Sequence, residues 1–135
     1  MDFFLDDKNI VNRLVNEWLK YGELIIAYDF DDTVSPYKTK SSEQHTMVIE
    51  LLKRCKNLGA KFIVFTCRNC NDKEHYDIVT KYLNENKIPY DAINVDLDVS
   101  FGSRKIYYNV LLDDRAGLAS AYNCLLKAVE IMEKK

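Results

Sequence analysis

The stretch ELIIAYDFDDTVSPY, residues 23–37, joins a short apolar run to a cluster of aspartates. The run is too short for a free-standing helix and is rich in β-branched and aromatic residues, which favours a strand buried on both faces. Asp29, Asp31 and Asp32 fall within four positions at its end. Like charges repel, so this cluster costs stability unless a cation or a reaction uses it. The stretch predicts a buried strand with a functional site at its carboxyl end.

The sequence around this strand alternates between helix and strand patterns. Apolar residues at helical spacing before Gly22 indicate an amphipathic helix over about residues 7–21, and a second helix is predicted in SSEQHTMVIELLKRCKNLGA, ending at Gly59. Three further strands are predicted in KFIVFT, YDAINV and IYYNVLLDD, and two further helices in NDKEHYDIVTKYLNENK and RAGLASAYNCLLKAVEIMEKK.

This alternation implies βαβ crossovers, a mainly parallel sheet and helices on both faces. The chain has 135 residues, of which 47% are hydrophobic and 30% charged, so it can form one core but not two ordinary domains. We therefore predict the α/β class: a three-layer, Rossmann-like parallel sheet in a single domain over residues 1–135, with its core at about 23–134.

Composition excludes several classes of protein. A formal charge of −2 gives no global argument for binding nucleic acid or an anionic membrane. No apolar run approaches membrane-spanning length, and the start MDFFLDDKNI lacks the basic region of a signal peptide, so we expect a cytoplasmic protein with no membrane partner. The cysteines are expected to be free thiols; Cys67 and Cys70 resemble half of a zinc site, but no second ligand pair has zinc-binding spacing.

A second acidic pair, Asp113 and Asp114, ends the predicted fourth strand. In open parallel sheets, ligands bind outside the carboxyl ends of the strands, which brings this pair towards Asp29. Mg²⁺ prefers oxygen ligands and is usually held by one or two carboxylates together with water and substrate phosphate. The two acidic strand ends therefore predict a Mg²⁺ site that also takes a phosphate.

Potential phosphate ligands lie at other strand ends. Thr66 ends the second strand, and Arg68 carries a guanidinium suited to phosphate. Lys105, with Arg104 beside it, could neutralise the aspartates and the phosphoryl charge. Lys105 stands eight residues before Asp113, and a fully extended strand of that length would carry it roughly 26 Å away, so the connection must bend or Arg104 must serve instead.

Taken in order, DFDDT at 29–33, FIVFT at 62–66 and NVLLDD at 109–114 resemble the motifs of the haloacid dehalogenase superfamily of phosphohydrolases. The resemblance covers roughly residues 23–120. It implies that Asp29 is the nucleophile that forms an aspartyl-phosphate and that Asp31 is the general acid and then the base. Asp32 is expected to be a turn residue.

The same resemblance implies the remaining roles. The Asp29 carboxylate, the Asp31 backbone carbonyl, Asp113 and Asp114 would hold Mg²⁺. Thr66 would hold the transferring phosphoryl group, and Lys105 would orient the nucleophile.

Many members of this superfamily insert a cap domain after the first motif or after the third strand, and neither gap here is long enough for one. We therefore expect an open site. Such a site either admits a bulky substrate or takes its lid from another subunit of a homo-oligomer. The nearby loops mix aromatic and basic residues, which favours a nucleotide or nucleic-acid end over other phosphorylated metabolites; these residues are Tyr37, Lys38, Lys40, Phe101, Arg104, Lys105, Tyr107 and Tyr108.

The sequence leaves two alternatives to a phosphomonoesterase open. The first is a phosphoacceptor module resembling a response-regulator receiver, in which Asp96, after the third strand, would have to accept the phosphoryl group. The second is a non-catalytic domain that binds a partner.

Overall fold

Four parallel strands form the centre of the fold. The computed structural model describes residues 3–39, 42–97 and 104–135. The strands are β1 (Ile25–Asp29), β2 (Lys61–Phe65), β3 (Ala92–Ile93) and β4 (Val110–Leu112), in the order β3-β2-β1-β4 across the sheet. β1 pairs in parallel with β2 and β4, and β2 pairs in parallel with β3. The predicted α/β class and its Rossmann-like parallel sheet are confirmed.

The helices flank this sheet, after a short 3-10 turn at Phe3–Leu5. They are α1 (Asp7–Tyr21), α2 (Ser42–Asn57), α3 (Lys73–Glu85) and α4 (Leu118–Glu133). The Asp6 carboxylate caps the first turn of α1 by accepting from the Lys8 N–H, and Gly22 closes that helix in the left-handed region at φ 75°. No helix in the described part of the chain is both long and apolar enough to cross a bilayer.

The two faces of the sheet are covered differently. On one face, alternate residues of β1 and β2 join a cluster that contains the buried apolar residues of all four helices. On the other face, Ile25, Ala27 and Ile63 are covered by side chains of the β3–β4 connection, among them Leu97 and the residues at 106–108. Because β3 and β4 lie on opposite sides of β1 and β2, the connection has to cross a face of the sheet, and in its described part it supplies the third layer without a helix.

Polar side chains shorten the last two strands. The predicted strands in YDAINV and IYYNVLLDD are reduced to two and three residues because neighbouring Asp and Asn side chains take over backbone hydrogen bonds. Asp91 accepts from the Phe62 N–H at 2.8 Å, and the Asn94 amide bonds to the N–H and C=O of Thr66, both at 2.9 Å. Asn109 accepts from the Ile25 N–H at 2.7 Å, so regular pairing of β4 begins one residue later.

Asn109→Ala should lower the free energy of unfolding by about 1–3 kcal/mol. The Asn109 side chain is buried and also donates to Glu17 at 2.9 Å, so its removal leaves the Ile25 N–H and the Glu17 carboxylate without this partner. Urea denaturation measures the loss. Asn16→Ala, an exposed change on α1, is the control and should shift stability by no more than about 0.5 kcal/mol. Equal stability of the two variants would contradict the role given to Asn109.

Candidate active site

The site lies between β1 and β4, where the order in which strands are added to the sheet changes side. The chain winds from β1 to β2 to β3 and then returns to place β4 on the other side of β1, which opens a crevice at the carboxyl ends of β1 and β4. A pocket of about 540 Å³ lies at this edge. Among the described residues, it is lined by Asp29, Asp31, Asp32, Tyr37, Lys38, Cys67, Arg68, Asp113, Asp114 and Arg115.

Three carboxylates meet in this pocket. Asp29 ends β1, and Asp113 and Asp114 follow β4; one oxygen from each lies within 4.8 Å of the others. The fully buried Thr33 hydroxyl lies 3.3 Å from Asp29 Oδ2 and 3.4 Å from Asp114 Oδ1, and it accepts from the Asp114 N–H at 3.1 Å. A hydroxyl has one proton, so Thr33 satisfies only one of these carboxylates at a time.

The electrostatics of this cluster favour a cation. Burial, a hydrogen bond with Asp114 and the charges of Asp113 and Asp114 raise the pKa of Asp29 to about 7. Ligand oxygens about 2.1 Å from an octahedral Mg²⁺ lie roughly 3–4 Å apart. The three oxygens, all within 4.8 Å of one another, need only a small approach to reach this spacing. The donor set therefore fits Mg²⁺.

Asp31 lies in the same pocket but is paired with a cation. Arg68 donates from Nε to Asp31 Oδ2 at 3.0 Å and from Nη2 to Oδ1 at 2.8 Å, and its guanidinium lies 5.6 Å from the centroid of the Phe30 ring. This bidentate contact raises the pKa of the Arg68 guanidinium. The Asp31 carboxylate thus faces Arg68 and, among the described residues, is not part of the three-carboxylate group. This contact uses two of the five N–H donors of the Arg68 guanidinium.

Asp32 has the turn role expected of it. Its Oδ1 accepts three backbone hydrogen bonds, from Tyr37 at 3.0 Å, Lys38 at 2.9 Å and Thr39 at 3.0 Å. Hydrogen bonds from the backbone of Thr39, Tyr37 and Lys38 lower the pKa of Asp32. The same bonds place residues 37–39 beside the pocket.

The other predicted residues do not line the described pocket. The Thr66 hydroxyl accepts from the Arg68 N–H at 3.1 Å, so Thr66 adjoins the pocket but is not among its described lining residues. Arg104 and Lys105 are exposed and do not line the described pocket either. They precede Asn109, whose N–H donates to the Ile25 carbonyl at the amino edge of the sheet, opposite the carboxylates. Lys40 and Phe101 lie outside the described residues.

The sequence interpretation missed several residues of the site. Thr33 completes the DxDxT motif and could have been found there, and Arg115 directly follows the paired acids. Lys38 was expected near the site only as a loop residue. Together with Arg68, Lys38 and Arg115 are the cations that line the described pocket. Cys67 also lines it, and all four cysteines are free thiols, as predicted.

Comparison with known proteins supports the fold. No family model and no curated protein matches the sequence. Among solved structures, the chain is similar to a conserved protein from Bacteroides thetaiotaomicron, with a TM-score of 0.60 and 24% sequence identity. The match covers 84% of this chain and 93% of that one. At this identity the likeness shows a shared fold and does not extend to function.

The raised pKa of Asp29 predicts a pH dependence of stability in metal-free buffer. Because the folded pKa is about 7 and an unfolded aspartate titrates near 4, protonation of Asp29 stabilises the fold fully below about pH 4, and this contribution is lost as the pH rises to about 7. Asp29→Asn removes the titration. Relative to the variant, the wild type should lose on the order of 1–2 kcal/mol over this range, a value reduced for solvent screening.

Urea denaturation in the presence of a chelator, from pH 4 to pH 8, measures this difference. Asp77→Asn is the control, since Asp77 is an exposed aspartate on α3 that pairs with Lys73. This variant should follow the wild type across the pH range. Parallel curves for wild type and Asp29→Asn would contradict the raised pKa.

Proposed function

We propose that the chain is a Mg²⁺-dependent phosphomonoesterase of the haloacid dehalogenase type that acts through an aspartyl-phosphate on Asp29. This proposal rests on one observation: Asp29, Asp113 and Asp114 meet in the crevice at the carboxyl ends of β1 and β4. The order of the three motifs along the chain supports it as well.

Asp29 is the best-placed nucleophile. It ends the central strand β1, lines the pocket and is held by the hydroxyl of Thr33. Its carboxylate oxygen would attack phosphorus, forming one O–P bond while the bond to the leaving oxygen breaks, and water would later release phosphate. Only the ionised form attacks, and a pKa of about 7 leaves much of Asp29 protonated at neutral pH. Mg²⁺ bound by Asp29, Asp113 and Asp114 would supply the charge neutralisation that favours the ionised form.

Asp31 and Arg68 would act as a pair beside the nucleophile. Arg68 donates to both oxygens of the Asp31 carboxylate, so this pair would have to open and Asp31 take up a proton from solvent before it acts as an acid. Asp31 would then give that proton to the leaving oxygen and take one from the attacking water. The Thr66 hydroxyl accepts from the Arg68 N–H, which leaves its own proton for a phosphoryl oxygen. Lys38 and Arg115 line the described pocket. We assign the cationic role at the phosphoryl group to Arg115 in preference to Lys105 or Arg104, and we place Lys38 at the rim, where it would bind the substrate.

The open shape of the site bears on the substrate. Between β1 and α2, and between β3 and β4, the described residues form no helix or strand that could serve as a cap. In an open pocket, the part of the substrate beyond the phosphoryl group can be large, because it can extend out of the pocket. Tyr37 and Lys38 at the rim combine an exposed aromatic ring with a cation, which favours a nucleotide or nucleic-acid end over a small phosphorylated metabolite.

The receiver alternative is less well supported. Receivers have the strand order 2-1-3-4-5, in which the third strand lies beside the first. Here β3 lies at the edge, beside β2. Asp96, the residue that would have to accept the phosphoryl group, is exposed, accepts from the Tyr107 N–H at 2.7 Å and does not line the described pocket. The second alternative is a non-catalytic binding domain. Such a domain would hydrolyse no phosphate ester as the wild type, whereas the proposed enzyme would show hydrolysis that is lost in variants of Asp29.

Asp29→Asn should reduce Mg²⁺-dependent hydrolysis of p-nitrophenyl phosphate by a factor on the order of a thousand or more, because an amide cannot act as the nucleophile. Asp77→Asn changes a residue outside the described pocket lining and should retain wild-type activity. Phosphate release by the wild type and both variants is measured with and without Mg²⁺. Full activity in Asp29→Asn would refute the proposal. The active wild type can then be screened with nucleotides, sugar phosphates and 3'- and 5'-phosphorylated oligonucleotides.

Mg²⁺ should stabilise the wild type against thermal unfolding, since a ligand at about 100 times its Kd adds about 2.7 kcal/mol to the free energy of unfolding. Asp113→Asn removes one carboxylate of the cluster and should lose most of this shift. Asp77→Asn should keep it. Thermal melts over a series of MgCl₂ concentrations measure the effect, and an undiminished shift in Asp113→Asn would place the cation elsewhere.

A further inference from the structure

One carboxylate, outside the proposed chemistry, holds a wall of the pocket in place. The backbone N–H groups of Tyr37, Lys38 and Thr39 all point to Oδ1 of Asp32, at 3.0, 2.9 and 3.0 Å. Successive backbone N–H groups that converge in this way form a concave binding site for an anion. Here the anion is a side chain of the same protein.

The main chain around Asp32 is arranged for this contact. Asp32 has a positive φ of 64°, which costs free energy for a residue other than glycine. Its own N–H donates to the Ser35 carbonyl at 2.7 Å, and the Ser35 N–H donates to the Phe30 carbonyl at 3.0 Å. These bonds return the chain towards Asp32, so that residues 37–39 meet its carboxylate. Hydrogen bonds to an ionised acceptor are roughly twice as strong as neutral ones and can offset the cost of the turn.

The held segment contributes to the site. Tyr37 and Lys38 are both exposed, both line the pocket and both are bound through their backbone to Asp32. Neither lies in a helix or strand that would otherwise fix its position. Their placement therefore depends on the Asp32 carboxylate.

We propose that Asp32 is a positioning residue: its carboxylate anchors residues 37–39 so that Tyr37 and Lys38 form the substrate-binding wall of the pocket. The substrate part of this statement rests on the proposed phosphatase function. Lys38 meets an anionic group of the substrate and Tyr37 meets a planar one, while Asp32 itself contacts neither the phosphoryl group nor the leaving oxygen. Three backbone N–H groups donate to one oxygen of Asp32. Asp32 therefore serves to hold the main chain, whereas Asp29 and Asp31 are assigned to the chemical steps.

Asp32→Ala tests both parts of the proposal. Loss of the charged acceptor should speed hydrogen exchange at the amides of residues 37–39 about tenfold or more, as followed by NMR. KM for p-nitrophenyl phosphate should rise about tenfold while kcat stays within about twofold, because the wall binds the substrate without entering the chemical step. Asp32→Asn keeps an oxygen acceptor but loses its charge, so its effects should be smaller and in the same direction.

A matched control removes an exposed aspartate whose side chain accepts from a backbone amide elsewhere in the chain. Asp72 accepts from the Glu74 N–H at 3.0 Å at the start of α3 and does not line the described pocket. Asp72→Ala should leave KM and the exchange of residues 37–39 unchanged. Added formate, a small carboxylate, should restore part of the lost protection and part of the lost affinity in Asp32→Ala, with no such effect on the wild type.

Several results would overturn the proposal. Unchanged exchange at residues 37–39 in both Asp32 variants would show that the carboxylate does not anchor the segment. Faster exchange with an unchanged KM would reduce Asp32 to a structural turn residue, and a lower kcat with an unchanged KM would place it in the chemical step. If the wild type hydrolyses no phosphate ester, the proposed function and the substrate part of this proposal both fail, while the exchange data still decide whether Asp32 anchors the segment.

Discussion

The pairing of β1 with both β2 and β4 is the constraint on which the candidate site depends. Because β1 is central and all its partners run parallel to it, the carboxyl ends of three strands meet at one edge. Asp29 and Asp113 therefore become neighbours although 83 intervening residues separate them. A strand added antiparallel at the position of β4 would carry its final acids to the opposite edge. Chain direction, more than local composition, brings these carboxylates together.

The protein compensates the charges of its clustered aspartates in different ways. Arg68 neutralises Asp31 through a bidentate ion pair, and three backbone amides surround one oxygen of Asp32. Asp29, Asp113 and Asp114 face one another, and Thr33 can donate only one proton to them. Burial, the hydrogen bond with Asp114 and the charges of Asp113 and Asp114 together raise the pKa of Asp29. Among the described residues, these three carboxylates are the group that could hold a metal ion.

The sequence was sufficient to predict the sheet, the helices and the acidic strand ends, because hydrophobic periodicity and glycine caps depend on near neighbours along the chain. It was insufficient for strand lengths, since Asp91, Asn94 and Asn109 replace ladder hydrogen bonds with side-chain bonds that no periodicity reveals. The pairing of Arg68 with Asp31 and the placement of Lys38 also depend on loop geometry. The position of Lys105 depends on loop geometry too. The sequence places Lys105 at the site, but Lys105 is not among the described residues that line the pocket.

The short outer strands have a consequence for how the protein meets other molecules. β3 and β4 lie at the two edges of the sheet and contain only two and three residues. Long exposed edges offer unpaired N–H and C=O groups to strands of other chains, and short edges offer few. On either side of β3, the side chains of Asp91 and Asn94 are hydrogen-bonded to Phe62 in β2 and to Thr66 just after it. The sheet therefore offers other chains few backbone groups for strand addition.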